Sequence, residues 1–175
     1  MRRRIFALLF FLFFGLAKAS DFVVPYPIIH APVTHSGKFH ILNNKETYVI
    51  LDSSKGMSFS VIRQSPSSKE INFKGDAVIL NASFQVELNE EGKTILLDQA
   101  YDPDPRLQII SQGPTHVAAR VFFSICSSEG RPYGTGTLDI YLYSDRLHLV
   151  PSLYIDYLNP SVRITKAGFW AEFPE

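Results

Sequence analysis

A set of residues that could do chemistry together recurs at alternate positions between Gly113 and Tyr157. The recurring types are histidine, arginine, aspartate and tyrosine. Because side chains alternate between the two faces of a β-strand, this spacing predicts one sheet face that carries them all, which we call the polar face. Its predicted members are His116, Arg120, Asp139, Tyr141, Tyr143, Arg146, His148, Tyr154 and Asp156.

Saccharide binding is one chemistry that these residue types fit. A tyrosine ring takes the apolar side of a pyranose, and charged side chains hydrogen-bond its hydroxyls. A second chemistry is proton transfer by His148 and Tyr141, with Asp139 beside them. A third interpretation is an ordinary packed or solvated face, since outward tyrosine, arginine and aspartate are normal on strands. The residues selected as ligand-binding are Arg120, Asp139, Tyr141, Tyr143, Arg146, His148 and Tyr154.

Three consecutive strands are predicted to position the polar face. Their opposite faces carry apolar strips that would face the core. A two-residue turn at Ser144-Asp145 would set the register of the last two strands and oppose side chains about 4.5–5.5 Å apart at Cβ. The expected opposed pairs are Tyr143 with Arg146 and Tyr141 with His148. The predicted strands are Pro114–Cys126, Gly136–Tyr143 and Arg146–Tyr157.

The rest of the chain is patterned as short strands separated by turns, with no clear amphipathic helix after the leader. About ten strands of this kind predict an all-β fold, an antiparallel β-sandwich or a partial supersandwich. The strand from Ala77 to Leu88 is expected to turn Val78 and Leu80 inward. Asn81, which begins a match to the N-glycosylation acceptor, is expected to face outward. The G-T-G segment that starts at Gly134 is interpreted as a hairpin feature.

The first 19 residues have the composition of a secretory leader. Three arginines precede the 12-residue apolar run Ile5–Leu16, and Ala17-Lys18-Ala19 supplies a cleavage signal. The run is shorter than the ~20 residues that a membrane-spanning helix needs. We therefore predict cleavage after Ala19, a secreted or periplasmic location and no integral membrane span in the mature chain. Residues 20–37 are predicted as an extended proline-rich arm and residues 38–175 as a single domain.

Charge and ligand types argue against several classes of partner. Without the leader, 13 basic residues stand against 17 acidic ones, so no nucleic-acid partner is expected. Histidines recur at every fifth position from His30 to His40, a spacing that fits no usual zinc motif. Asp98, Asp102 and Asp104 are predicted to form a turn with solvated carboxylates and not a calcium loop. We expect no metal site and no cofactor.

Nucleophilic catalysis has no clear signature in the sequence. The single cysteine, Cys126, excludes an intramolecular disulfide and is interpreted as a semi-buried hydrophobe. The chain lacks a G-x-S-x-G elbow, an H-E-x-x-H zinc motif, a Walker loop and a G-x-G-x-x-G loop. We therefore assign no catalytic residue, and enzyme activity stays one of the open alternatives.

Three segments of the polar-face strands resemble the large β-sandwich of galactose-mutarotase-like proteins and of some polysaccharide lyases. In those domains a GP-x-x-x-x-x-R-V strand precedes a strand pair of this kind. The resemblance implies a sandwich architecture and a carbohydrate ligand, and no catalytic residue is carried over. The matching segments are Gly113–Val121, Leu138–Tyr143 and Arg146–Val150.

The sequence thus predicts an exported β-sandwich protein whose polar face binds a saccharide, such as a polysaccharide or glycan, or another extracellular polymer. Such a protein would be accessory to a carbohydrate-active enzyme or a fragment of one. One alternative is a structural or protein-interaction module that pairs with a partner protein through an exposed edge strand. Another is a lyase- or epimerase-like enzyme that uses His148, Tyr141 and Arg120.

Overall fold

Eleven β-strands make up the part of the chain that the structure describes. The structure, a computed structural model, describes residues 33–44, 46–63, 76–156 and 161–174, and no α-helix occurs among them. Single 3₁₀ turns lie at Ser53–Lys55 and Gln99–Tyr101. The strands are β1 (Val33–Ser36), β2 (Phe39–Asn43), β3 (Thr47–Asp52), β4 (Ser58–Arg63), β5 (Ala77–Glu90), β6 (Lys93–Asp98), β7 (Arg106–Gln112), β8 (His116–Ser127), β9 (Pro132–Tyr143), β10 (Leu147–Ile155) and β11 (Val162–Glu172).

Hydrogen bonds join the strands into one connected sheet. Its order is β1-β2-β3-β4-β5-β6-β8-β9-β10, with β11 paired to β5 and β7 paired to β8. Every one of these pairings is antiparallel. The all-β, antiparallel class predicted from the sequence is therefore confirmed. Its finer arrangement as a sandwich or partial supersandwich stays a prediction.

The apolar strips predicted opposite the polar face are buried. In β8 and β9, alternate residues join side chains from β2 to β6 in one core cluster, and the β10 strip packs half-buried against that cluster. Burial of one face fixes the register, because a slip by one residue would turn the apolar set toward solvent. The buried residues of the β8 and β9 strips are Val117, Ala119, Val121, Phe123, Ile125, Leu138, Ile140 and Leu142.

Two long strands change partners partway along their length, and a side chain fills the gap in each hydrogen-bond ladder. β5 passes from β4 to β6 near Phe84, whose backbone N–H donates to Gln99 Oε1 (3.2 Å). β8 passes from β7 to β6 near Ser124, whose backbone N–H donates to Asp102 Oδ2 (2.7 Å). Both acceptors belong to the short connection between β6 and β7. Without them, these backbone donors would lack partners in the protein.

These bonds show that the prediction of solvated carboxylates in the 98–104 segment was wrong. Asp98 and Asp102 are buried, with exposed fractions of 7% and 5%. Asp98 accepts from the backbone N–H of Ala100 (2.7 Å) and so caps the 3₁₀ turn. Only Asp104 of the three is exposed, and its carboxylate lies 3.6 Å from Arg106 Nη2. The physical reason is that short acidic side chains supply acceptors to backbone N–H groups that strand pairing leaves over.

The first half of β5 faces the opposite way from the prediction. Val78, expected inward, is 47% exposed, while Ile79 packs against the core cluster and Leu80 is half-buried. The change of phase coincides with Asn81, whose φ is 49°, and with a shift in the β4–β5 register. Such a bulge reverses the alternation of side chains across it. Asn81 itself is exposed, as predicted, and its side-chain amide donates to Glu172 (3.3 Å).

The G-T-G segment that starts at Gly134 lies inside β9. The prediction that it is a hairpin feature was therefore wrong. β9 begins at Pro132, four positions before the predicted start. Its two glycines serve close packing. A Cβ at Gly134 would lie 2.2 Å from the carbonyl O of Tyr154, and a Cβ at Gly136 would lie 2.5 Å from the Phe123 ring.

Several predicted features lie outside the described residues. These are the leader over residues 1–19, most of the arm over residues 20–37, and Tyr157. The described end of the arm forms β1 and pairs with β2. Within the described ranges, no helix combines the length and the hydrophobicity that a bilayer crossing requires.

Candidate functional site

The polar face consists of rows of side chains that run across β8, β9 and β10. The Tyr143 backbone N–H donates to the Arg146 carbonyl O (2.9 Å), which closes the Ser144-Asp145 turn. The register then places Tyr141 opposite His148. Both cross-strand pairs predicted from the sequence are therefore confirmed. The face is built as expected because the apolar strip behind it is buried and the turn has two residues.

An ion pair occupies the middle of the polar face. Arg120 donates from Nε and Nη2 to the two carboxylate oxygens of Asp139, at 2.6 and 2.7 Å. These hydrogen bonds, together with attraction by the guanidinium charge, hold the pKa of Asp139 below its usual range. Asp139 is 8% exposed, whereas the Arg120 side chain is 41% exposed. The two predicted ligand-binding residues thus bind each other, and the guanidinium presents the larger open surface.

Aromatic and cationic groups gather around Tyr143 at one end of the polar face. The His116 ring stacks on it with centroids 5.2 Å apart, and the edge-on His148 ring lies 5.6 Å away. The Arg146 guanidinium lies 4.8 Å from the centroid of the Tyr143 ring. Stacking and cation–π attraction favour this packing. These intramolecular contacts match the interpretation of this end as an ordinary packed strand face.

An open groove of about 770 Å³ lies at the opposite end of the same face. Strands β8, β9 and β10 form its floor, and the segment from Asp102 to Arg106 forms its wall. Of the seven predicted ligand-binding residues, the groove contains Tyr154 alone, which is 64% exposed. Sequence reasoning missed the others, because serine, threonine and a single phenylalanine on strands carry no specific signal. The floor residues of the polar face are Phe122, Ser124, Thr135, Thr137, Ser152 and Tyr154.

The groove floor is a grid of two rows across three strands. Its two aromatic rings occupy diagonal corners, with four hydroxyl groups at the positions between them. Strands lie about 4.8 Å apart and alternate residues about 7 Å apart along a strand, so the diagonal corners are about 12 Å apart at Cα. The first row consists of Phe122, Thr137 and Ser152, and the neighbouring row consists of Ser124, Thr135 and Tyr154.

Cys126 lies against the groove and is buried, more fully than the semi-buried position predicted for it. Burial, with a smaller contribution from the Asp102 carboxylate, raises the pKa of its thiol. A thiol with a raised pKa forms little thiolate at neutral pH and is a poor nucleophile. In the part of the chain that the structure describes, no group of three or more histidine, cysteine, aspartate or glutamate side chains could hold a metal ion.

Comparisons with protein-family models and with curated proteins found no relative from which a role could be transferred. No protein-family model matches this chain, and no curated protein matches its sequence. The resemblance to galactose-mutarotase-like and polysaccharide-lyase sandwiches therefore stays a prediction from the strand pattern.

Proposed function

We propose that the mature protein is exported and binds a saccharide, or another hydroxyl-rich extracellular polymer, in the groove of the polar face. The observation that carries the proposal is the diagonal pair of exposed rings, Phe122 and Tyr154, with four hydroxyl groups between them. Aromatic rings accept the apolar faces of sugar rings, and side-chain hydroxyls both donate and accept hydrogen bonds. Because the groove is open, a polymer could enter and leave it along its length.

The wall of the groove supplies charged partners for sugar hydroxyls. The side chains of Asp104 and Arg106 are 83% and 77% exposed, and their 3.6 Å contact is a weak surface ion pair. Such a pair can open at little cost. The carboxylate would then accept from a hydroxyl, and the guanidinium would donate to one.

A glycan array tests the proposal with the wild-type protein and two tyrosine variants. Tyr154→Ala should lower the affinity for any bound glycan about tenfold, since burying some 55 Å² of ring surface is worth about 1.4 kcal/mol. Tyr101→Ala is the matched control, because that ring is also exposed but lies outside the groove. Absence of binding to every glycan, or an equal loss in both variants, would contradict the proposal.

A third variant shows which end of the polar face binds. Tyr143 packs among its neighbours at the far end, so Tyr143→Ala should leave glycan affinity within about twofold of wild type if the groove is the site. A large loss in Tyr143→Ala with none in Tyr154→Ala would place binding at the aromatic end. The groove would then be excluded as the site.

A second candidate function is pairing with another protein through an edge strand. Within the described ranges β11 hydrogen-bonds to β5 alone, so it lies at an edge of the sheet. Part of the strand is apolar: Ile164 and Trp170 are 55% and 66% exposed, and Phe173 beyond it is 73% exposed. Charged residues, Arg163 and Lys166 among them, are exposed on the same strand. Long exposed apolar edges favour addition of a strand from a partner. Self-pairing predicts dimers by size exclusion with light scattering, and a strict monomer at all concentrations would contradict it.

The lyase- or epimerase-like alternative stays a hypothesis. Two of its three residues, Tyr141 and His148, oppose each other across β9 and β10. Arg120, its third member, is bound to Asp139 at two points, so it is not free to neutralise a substrate carboxylate without first breaking that pair. A role as accessory module or as fragment of a larger enzyme also stays a hypothesis.

A further inference from the structure

Two histidines meet across the β1–β2 hairpin, far along the strand order from the polar face. The register opposes His35 to His40, and their Nδ1 atoms lie 2.6 Å apart. The rings are nearly perpendicular, with centroids 4.7 Å apart. The two histidines, five residues apart in the sequence, are therefore in direct contact in the fold. The spacing alone does not predict this contact, because it depends on the hairpin register.

The hairpin turn determines this juxtaposition. Gly37 has a φ of 58° and forms the turn with Lys38, so residues 36 and 39 flank it. In a two-residue hairpin the next pair outward exchanges no backbone hydrogen bonds, and its side chains come closest together. His35 and His40 occupy that closest pair. Two rigid strands therefore hold the rings together, and no flexible loop is needed.

The distance between the two nitrogen atoms is close to the bite of a metal chelate. Two imidazole nitrogens bound about 2.05 Å from one cation, at an angle of 90–109°, lie about 2.9–3.3 Å apart. The Nδ1 atoms would have to separate by only about 0.3–0.7 Å from their 2.6 Å contact. His35 is exposed and His40 is half-buried, so water can complete the coordination shell.

We propose that His35 and His40 form a bidentate site for a late first-row divalent cation, with copper(II) bound more tightly than nickel(II) or zinc(II). Imidazole nitrogen suits all three ions, and their affinities for such ligands are highest for copper. Lys38, the cationic residue in the hairpin turn, forms an ion pair with Asp52 (3.0 Å), which offsets its charge. In the bound form both Nδ1 atoms coordinate the ion, and each neutral ring keeps its proton on Nε2.

The site requires neutral imidazoles, so protons compete with the metal. Desolvation and the neighbouring His35 lower the pKa of His40. His40 therefore stays neutral to a lower pH than an isolated histidine would. Binding should weaken as the pH falls below the ordinary range of histidine titration, near 6.5.

Isothermal titration of the untagged protein with the chloride of each metal tests the site. We expect one copper ion per chain, and an affinity at least about tenfold lower in His35→Gln and in His40→Gln, since even loss of an outer partner of a metal ligand costs that much. Ser36→Ala, a change in the same strand without loss of imidazole, should bind like wild type. Circular dichroism verifies that each variant is folded.

Three further outcomes would overturn the proposal. The first is copper binding that survives both glutamine variants or is lost only in His30→Gln, which would place the ion elsewhere. The second is a loss in only one of the two variants, since a bidentate site needs both rings. Absence of copper binding by the wild-type protein at pH 7.5 would also exclude it.

Discussion

Replacing Asp102 with alanine should destabilise the protein strongly, although the residue lies in a short connection and not in a strand. Its carboxylate fills the break in the β8 ladder by accepting from the Ser124 N–H at 2.7 Å, and it also accepts from the Asp104 N–H at 3.1 Å. Alanine supplies no acceptor. The Ser124 donor would then lie unpaired between the ends of β6 and β7.

The expected cost follows from those two bonds. A hydrogen bond to a charged group is worth about 1.5–3 kcal/mol, and the Asp104 amide, on an exposed residue, can turn to water instead. The loss at Ser124 therefore dominates, and we expect a decrease of about 2–3 kcal/mol in the free energy of unfolding. For a domain of this size that corresponds to a fall in Tm of roughly 4–12 °C.

Urea and thermal denaturation followed by far-UV circular dichroism measure the effect. Asp104→Ala is the matched control, because it removes the same carboxylate two residues away, from an exposed side chain with a weak ion pair. Its stability should change by less than about 0.5 kcal/mol. Equal stabilities of Asp102→Ala and wild type, or equal losses in the two variants, would refute the idea that side chains complete the broken ladders.

Two other predictions concern packing and pH. Gly136→Ala should lower the free energy of unfolding by about 1–3 kcal/mol, because the new Cβ would lie 2.5 Å from the Phe123 ring. At Gly168 a Cβ would meet nothing within 4 Å, so Gly168→Ala should be neutral or slightly stabilising. Calorimetry of both variants tests this, and equal Tm values would contradict it. The Arg120 contact lowers the pKa of Asp139 in the folded protein below its ordinary value of 3.8. The ion pair therefore stabilises the fold fully above pH 3.8, and this stabilisation is lost as the pH falls through the lower pKa of the folded state. In Asp139→Asn that part of the acid destabilisation should vanish, and an unchanged difference from wild type between pH 5 and about 2 would refute it.

The alternation of side chains by itself determined the fold class and the composition of the polar face. Val117 and its alternate neighbours in β8 are buried, and the Ser144-Asp145 turn has the expected register. This succeeded because a strand has a two-residue period, and burial of one face leaves a single register that keeps apolar residues inside. The same rule failed before Asn81, because a bulge inserts a residue that periodicity cannot anticipate.

Only the tertiary structure decided which parts of the polar face are open. Asp139 and Tyr143 have the residue types of a ligand site, yet one is bound by Arg120 and the other is packed among neighbours. The groove lies elsewhere, between the 102–106 segment and the strand face that carries Phe122 and Tyr154. Its position depends on where β8 changes partner from β7 to β6, a contact between segments distant in sequence. The local sequence pattern predicts which face of the sheet a residue occupies. Its exposure on that face depends on which segments, distant in sequence, pack against the face.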